Sequence, residues 1–350
     1  MKTIGWHIKI LITGIPLLAG IPETAHAAST LESVRAAGKL TCGVDASTPG
    51  FTAPNDKGVW AGLDVDLCRA IAAATLGDAN KVEYKPLTSE TRFVALQAHE
   101  VDVLINNSTW TLSRDTQLAL NFAAVNFYDG QGFMVRKDLG IASPKKLKGA
   151  SVCVNEGTTT EKNLGDFDKS NNLGIQPVKF KDLDQARTAY EAGRCDAMTA
   201  DSSSLAAERT GLKSPKDHVV LSELISKEPL GPVVRHGDDQ WRDIVSWTHY
   251  AMLIGEEKGI TSANVDDVKA KNAEGTGGAD NETQRFLGIT DKMGEGLGLD
   301  NAWAYNILKQ VGNYGEAFER NVGKNTPLAL NRGMNALWSN GGLQYAPPVR

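Results

Sequence analysis

The 350-residue sequence predicts an α/β fold of two lobes joined by two crossing segments. Alternating strand and helix patterns occur in two successive series, the arrangement of parallel sheets covered by helices. A Gly-rich stretch between the series, Asp129-Gly130-Gln131-Gly132, and a Pro/Gly stretch after the second, Pro229-Leu230-Gly231-Pro232, are placed where the chain would pass across and return. Polar side chains crowd the C-terminal ends of several strands, where open α/β sheets bind ligands.

The first series opens with a strand at 39–44. Residues 64–75 follow as a helix, with Val65, Leu67, Cys68, Ile71 and Ala72 at helical spacing. A strand at 81–86, a helix at 90–98 and a short apolar strand at 101–105 continue it. Beyond the Gly-rich crossing, a strand at 133–136 leads into the second series. Its strands lie at 150–154, 177–180, 195–200 and 218–221, with one helix opened by Glu156-Gly157-Thr158 and another at 183–192. From Asp238, an N-cap residue by position, the pattern is helical, and Trp241, Ile244, Val245, Thr248 and Met252 share one face. Helices at 303–311 and 314–321 are expected to extend the first lobe. The division is then 28–130 with 234–350 for the first lobe, and 131–233 for the second.

A net charge of -5 and 41% hydrophobic residues give a globular profile. Mild acidity without a basic block argues against a nucleic-acid partner. Lys2, His7 and Lys9 precede a mostly apolar run at 10–21, and Ala25-His26-Ala27 offers small residues to a peptidase. Residues 1–27 thus read as a cleavable export signal, too short to span a membrane comfortably. In an oxidising compartment the four cysteines form an even set with three possible connectivities. Pairing within each region, Cys42–Cys68 and Cys153–Cys195, is the expected one. No Cys-x-x-Cys spacing or clustered His accompanies them, so no metal and no cofactor is expected.

Three polar clusters are candidate sites, each with a plainer reading. Asn106, Asn107, Thr109, Thr111 and Arg114 follow the apolar strand at 101–105. A planar guanidinium pairs with a carboxylate while neighbouring hydroxyls serve the remaining groups of a small zwitterion. Equally, Thr109 or Thr111 fits as a helix cap. In Glu156-Gly157-Thr158-Thr159-Thr160-Glu161 a strand gives way to a helix, whose free N–H groups suit an anion. The segment lacks the lysine of a nucleotide loop, and Thr158 with Glu161 fits a capping box better. Asp201, ending a strand before three serines, is placed either to meet an ammonium or to cap the next helix, the cap being the stronger reading from sequence alone. Phe51, on the loop after the first strand, is suited to covering a ligand or to anchoring the core. Trp110 reads as packing.

Taken together, the segments resemble the periplasmic polar amino-acid-binding proteins of ABC transporters, the family 3 solute-binding proteins. Residues 58–67 match Gly-Phe-Asp-x-Asp-Leu, and Thr109 to Arg114 match a hydroxyl-x-Thr-x-x-Arg pattern. Gly157-Thr158-Thr159 and residues 195–201 complete the likeness, which is strongest to a longer subgroup of general L-amino-acid binders. The resemblance implies a type II periplasmic binding protein: a monomer, not an enzyme, that captures L-amino acids by lobe closure and delivers them to an inner-membrane permease. It implies that Arg114 pairs with the ligand carboxylate, aided by main-chain donors at Thr111 and Thr159 in the turn that Thr158 opens. Asp201 would take the ammonium with help from Thr109, Phe51 would cover the ligand, and Asn106 and Asn107 would face its side chain.

Two positions depart from the pattern. Leu63 replaces a Phe, a harmless packing change. Asn106 stands where close relatives of this kind carry Arg, which implies a weaker preference for acidic side chains. The same architecture hosts dehydratases of cyclohexadienyl acids, but these clusters offer no poised acid–base pair, and the binding reading is preferred.

Overall fold

The computed structural model describes residues 1–5, 29–55, 57–276 and 278–350. The apolar run and cleavage motif of the expected export signal lie outside the described residues. Among the described residues, no helix is long and apolar enough to cross a membrane.

Two five-stranded sheets share one topology. In the first, the order is Val82–Pro86, Leu40–Val44, Val103–Leu104, Val233–Arg235, Leu120–Phe122. In the second, it is Gln176–Phe180, Ser151–Asn155, Ala197–Asp201, Gln131–Arg136, His218–Val220. The first three strands of each sheet run parallel. The fourth runs antiparallel to both neighbours and, in each sheet, is the strand arriving from the other lobe.

The crossings carry a sheet of their own, because Phe127–Asp129 pairs antiparallel with Glu228–Leu230. Sequence pattern marked these segments as passages and missed their pairing, since each strand is only three residues long. The edge strand Leu120–Phe122 was missed for the same reason. Val233 already pairs with Leu104 in the first sheet, so residue 233 lies with the first lobe and not at the end of the second.

Helix Leu63–Leu76 enters from Gly62, whose φ is 139°. A Cβ there would sit 1.9 Å from the Phe51 carbonyl oxygen, so only glycine permits this entry. The disulfides are Cys42–Cys68, tying the first strand to this helix, and Cys153–Cys195, tying two neighbouring chain segments of the second lobe. Helices Trp303–Gln310 and Tyr314–Asn321 insert Ile307, Leu308, Tyr314 and Phe318 into the core that also holds Ile71, Trp241 and Ile244. The C-terminal region is therefore part of the first lobe's core. In the second lobe the sheet separates two apolar clusters, one around Phe133, Val152 and Leu164, the other around Met134, Met198 and Leu205.

Candidate functional site

A cleft lies between the strand ends of the two sheets, with about 620 Å³ of atom-free space when its opening to solvent is included. Its wall includes Asp45, Ser89, Arg92, Asn106, Asn107 and Thr109 from the first lobe, and Asn155, Thr158, Thr159, Lys181 and Asp201 from the second. The lobes touch across it: the Ser89 hydroxyl donates to Asn155 Oδ1 at 2.7 Å, and the hydroxyls of Thr109 and Thr159 approach to 3.3 Å.

Asp201 is the decisive residue. It occupies the N-cap position of helix Ser202–Thr210 yet makes no capping hydrogen bond. The cap comes from the crossing strand instead, where Asp129 Oδ2 accepts from the Ser203 amide at 3.1 Å. Asp201 is thereby released, and its buried Oδ1 has no partner. Burial, then the charges of Asp129 and Glu228, hold its carboxyl well above the ordinary range, against the pull of Arg92 and Arg114. Such a group is complementary to a cation delivered into the cleft.

The Thr158 turn behaves in the opposite way. The Thr158 hydroxyl accepts from the Glu161 amide at 3.1 Å and donates to the Asn155 carbonyl at 2.7 Å, while Glu161 Oε2 accepts from the Gly157 amide at 2.9 Å. The Thr158 side chain is consumed as a cap. What the turn leaves for an anion is the N–H of Thr159 and Thr160, the first residues of helix Thr159–Asn171, which have no intrahelical acceptor.

In the first lobe, Thr111 caps helix Leu112–Thr116 through the Arg114 amide at 3.3 Å. Arg114 is buried, with Nη1 donating to the Thr109 carbonyl at 2.8 Å. Burial pushes its pKa down to about 10. Thr111 and Arg114 are not among the cleft-lining residues, but Arg114 is bonded to one that is, Thr109. Among the described residues no acceptor meets the guanidinium's Nε or Nη2 within hydrogen-bond distance.

Arg92 is the cation that does form part of the wall, and the sequence reading passed over it. It begins helix Arg92–Gln97, where a positive side chain opposes the helix dipole and no acid accompanies it. Sequence alone carries no such signal, because the helix expected at 90–98 opens with Glu90, an acid in its first turn. Its Nη1 donates to the Asn106 carbonyl at 2.9 Å and to Asn106 Oδ1 at 3.1 Å, and its buried Nε has no partner. Burial, then the charge of Arg114, pushes its pKa down to about 9. The Arg92 and Arg114 guanidiniums both lie 4.9 Å from the Phe93 ring centre, a cation–π arrangement that lets two like charges stand close.

Two expectations need correction and a third needs refinement. Phe51 does not cover the cleft: it is fully buried and meets Phe127 edge-on at 5.1 Å, because helix entry at Gly62 pins its backbone into the core. Trp110 is 40% exposed and stacks on Phe122, so it is not a core residue. Asn106 lies on the wall, but its amide is committed, with Nδ2 donating to the Leu87 carbonyl at 3.1 Å and Oδ1 accepting from Arg92. It braces Arg92. Asn107 reaches the wall with φ at 41°, a left-handed geometry that Asn tolerates. Among the described residues no His/Cys/Asp/Glu group could hold a metal ion.

Known proteins give this geometry a context. Residues 40–257 match the bacterial extracellular solute-binding proteins, family 3. The chain is 54% identical to the general L-amino acid-binding periplasmic protein of Rhizobium johnstonii over 339 residues, 96% of this chain and 97% of that one. It is 52% identical to the glutamate/glutamine/aspartate/asparagine-binding protein of Rhodobacter capsulatus over 342 residues, 98% of this chain and 99% of that one. A periplasmic binding protein from Brucella ovis, solved with glutathione bound, superposes with a TM-score of 0.88 at 52% identity, covering 93% of this chain and all of that one. With its paired type II architecture and an interlobe cleft, the chain belongs to family 3 of the bacterial extracellular solute-binding proteins.

Proposed function

We propose that this protein works in the periplasm as a monomer, capturing L-amino acids between its lobes and handing them to an inner-membrane ABC transporter permease. The observation that carries the reading is Asp201, a buried carboxylate left without a cap and without a partner at Oδ1. Opposite charges are available for the other end of a zwitterion: the uncommitted guanidinium nitrogens of Arg114 and the Thr159 and Thr160 amides. A ligand with both charges would have each paired on leaving water, the condition under which burying charge is tolerable. The names of the Rhizobium johnstonii and Rhodobacter capsulatus relatives support the same ligand class.

Arg92 decides the side-chain preference in this reading. With its guanidinium on the wall beside Asn106, the cleft keeps a cation for acidic or amide side chains, contrary to what Asn106 alone implied. Asp45 on the same wall keeps an acceptor for others, consistent with broad specificity.

A second reading has its own support. The Brucella ovis relative was solved with glutathione, which carries an amino-acid zwitterion at its glutamyl end. Lys181 on the wall offers a cation to a distal carboxylate. Calorimetric titration with the twenty L-amino acids and with glutathione distinguishes the readings. Binding of L-glutamate and L-glutamine at micromolar or lower Kd is expected. Failure to bind any L-amino acid sinks the first reading, and glutathione binding far tighter than glutamate promotes the second.

A further inference from the structure

We propose that Glu228, on the returning crossing strand, is a positioning residue that fixes the direction of two threonine hydroxyl protons, one from each lobe, and so sets the cleft's polarity for an ammonium. The inference rests on the amino-acid reading above. Glu228 is 1% exposed and its carboxylate is surrounded by donors. Oε2 accepts from the Thr109 hydroxyl at 2.6 Å and from the Thr159 hydroxyl at 3.0 Å. Oε1 accepts from the Asn163 amide at 2.7 Å and from the Ser226 hydroxyl.

A hydroxyl has one proton and two lone pairs. With both threonine protons directed to Oε2, the 3.3 Å approach of Thr109 and Thr159 is a contact between two acceptors. Their remaining lone pairs face the cleft wall to which both residues belong. An ammonium, with donors and no acceptor, finds there Asp201 and two oriented oxygens. A ligand carboxylate is turned away from these hydroxyls toward the amides and Arg114. The ligand's orientation is therefore written partly by a residue outside the cleft wall.

Glu228 also links the wall to closure. Thr109 belongs to the first lobe and Thr159 to the second, so both bonds to one oxygen exist together only when the lobes meet. The carboxylate rides on the crossing strand, which pairs with Phe127–Asp129 and belongs to neither large sheet. One lobe's threonine is presented early, and the other completes the pair on closing.

The test is a double-mutant cycle on L-glutamate affinity, measured by calorimetry with wild type, Glu228→Gln, Thr159→Val and the double variant. The neutral glutamine retains one acceptor but removes the charge that draws both protons. Each single variant is expected to weaken binding about tenfold or more, as for hydrogen bonds to charged groups. The double variant is expected to bind no worse than Glu228→Gln alone, because Thr159 acts through its bond to Glu228. Wild-type affinity in Glu228→Gln, or losses that multiply in the double variant, would overturn the inference. Absence of binding to the wild type would instead overturn the amino-acid reading. Should thermal melting show Glu228→Gln unfolded, Asn163→Ala loosens the same carboxylate from its other oxygen without touching the wall. About a threefold loss is then expected, and unchanged affinity counts against the inference.

Discussion

Asp201 and Thr158 hold equivalent places in the second lobe, each the N-cap of the helix that follows a parallel strand, yet they are used in opposite ways. Thr158 spends its hydroxyl on its own helix, accepting from the Glu161 amide. Asp201 spends nothing on its helix because Asp129, reaching over from the crossing strand, supplies the cap. The difference teaches that a cap is a task and not a residue. When a distant side chain takes the task, the local one becomes available for chemistry, at the cost of a buried carboxylate without a full set of partners.

The strongest way to break this comparison is Asp201→Asn. Removing one partner of a buried charge pair costs about 3–5 kcal/mol, so amino-acid affinity should drop at least about a hundredfold by calorimetry. The unliganded protein should melt no lower than wild type, since an unpaired buried charge has been removed; a lower melting temperature would mean that Asp201 serves the fold. The pH dependence follows from the same shifts. A carboxyl raised above its unfolded value binds protons more readily in the fold, so its contribution to stability is complete in acid and is lost as pH rises through the folded value, about 6 for Asp129. Unliganded stability should therefore fall between pH 5 and 8. Asp64, raised to about 6, and Glu208, raised to about 8, push the same way, so Asp201→Asn should only make the slope shallower. Ligand affinity runs in the opposite sense, because an ammonium needs ionised Asp201.

A subtler break is Asp129→Ala. The helix would lose a cap worth about 1 kcal/mol, and Asp201 would turn to replace it. Affinity should fall about tenfold, although Asp129 is not a wall residue; titrations indistinguishable from wild type would show that Asp201 is not held in reserve by its neighbour. The smallest effect belongs to Thr158→Ala. Chemical denaturation should register a loss of about 1 kcal/mol, while affinity stays within about threefold because the proposed reading gives the ligand only the turn's amides. A large affinity loss with unchanged stability would reverse the assignment.

The alternation of strands and helices was legible because buried parallel strands are continuous apolar runs and their covering helices have a regular apolar face. The same reasoning reached the disulfides and the helical C-terminal region. It failed at Phe127–Asp129 and Glu228–Leu230, whose three residues each are too few for any period. Within the cleft, Thr109, Thr159 and Asp201 were found by their position at strand ends. Arg92 escaped because its helix looked ordinary, and Phe51 was misplaced because Gly62, eleven positions later, decides where it points. The capping of Ser202–Thr210 by Asp129 involves residues 74 positions apart, which no local pattern reports.

The exchange of antiparallel strands between the sheets has a consequence for how the molecule is made. All five strands of the second sheet lie between Gln131 and Val220, so that sheet is complete once this stretch has emerged. The first sheet is in two pieces until Val233–Arg235 slides between Val103–Leu104 and Leu120–Phe122. Its core waits longer still, for Tyr314 and Phe318. As the chain emerges N-terminus first into the oxidising compartment, the lobe that begins first is thus the one that can be completed last. The second lobe's sheet is the one that can form first, so the Cys153–Cys195 bond can close in native surroundings while half of the first lobe's core is still unmade.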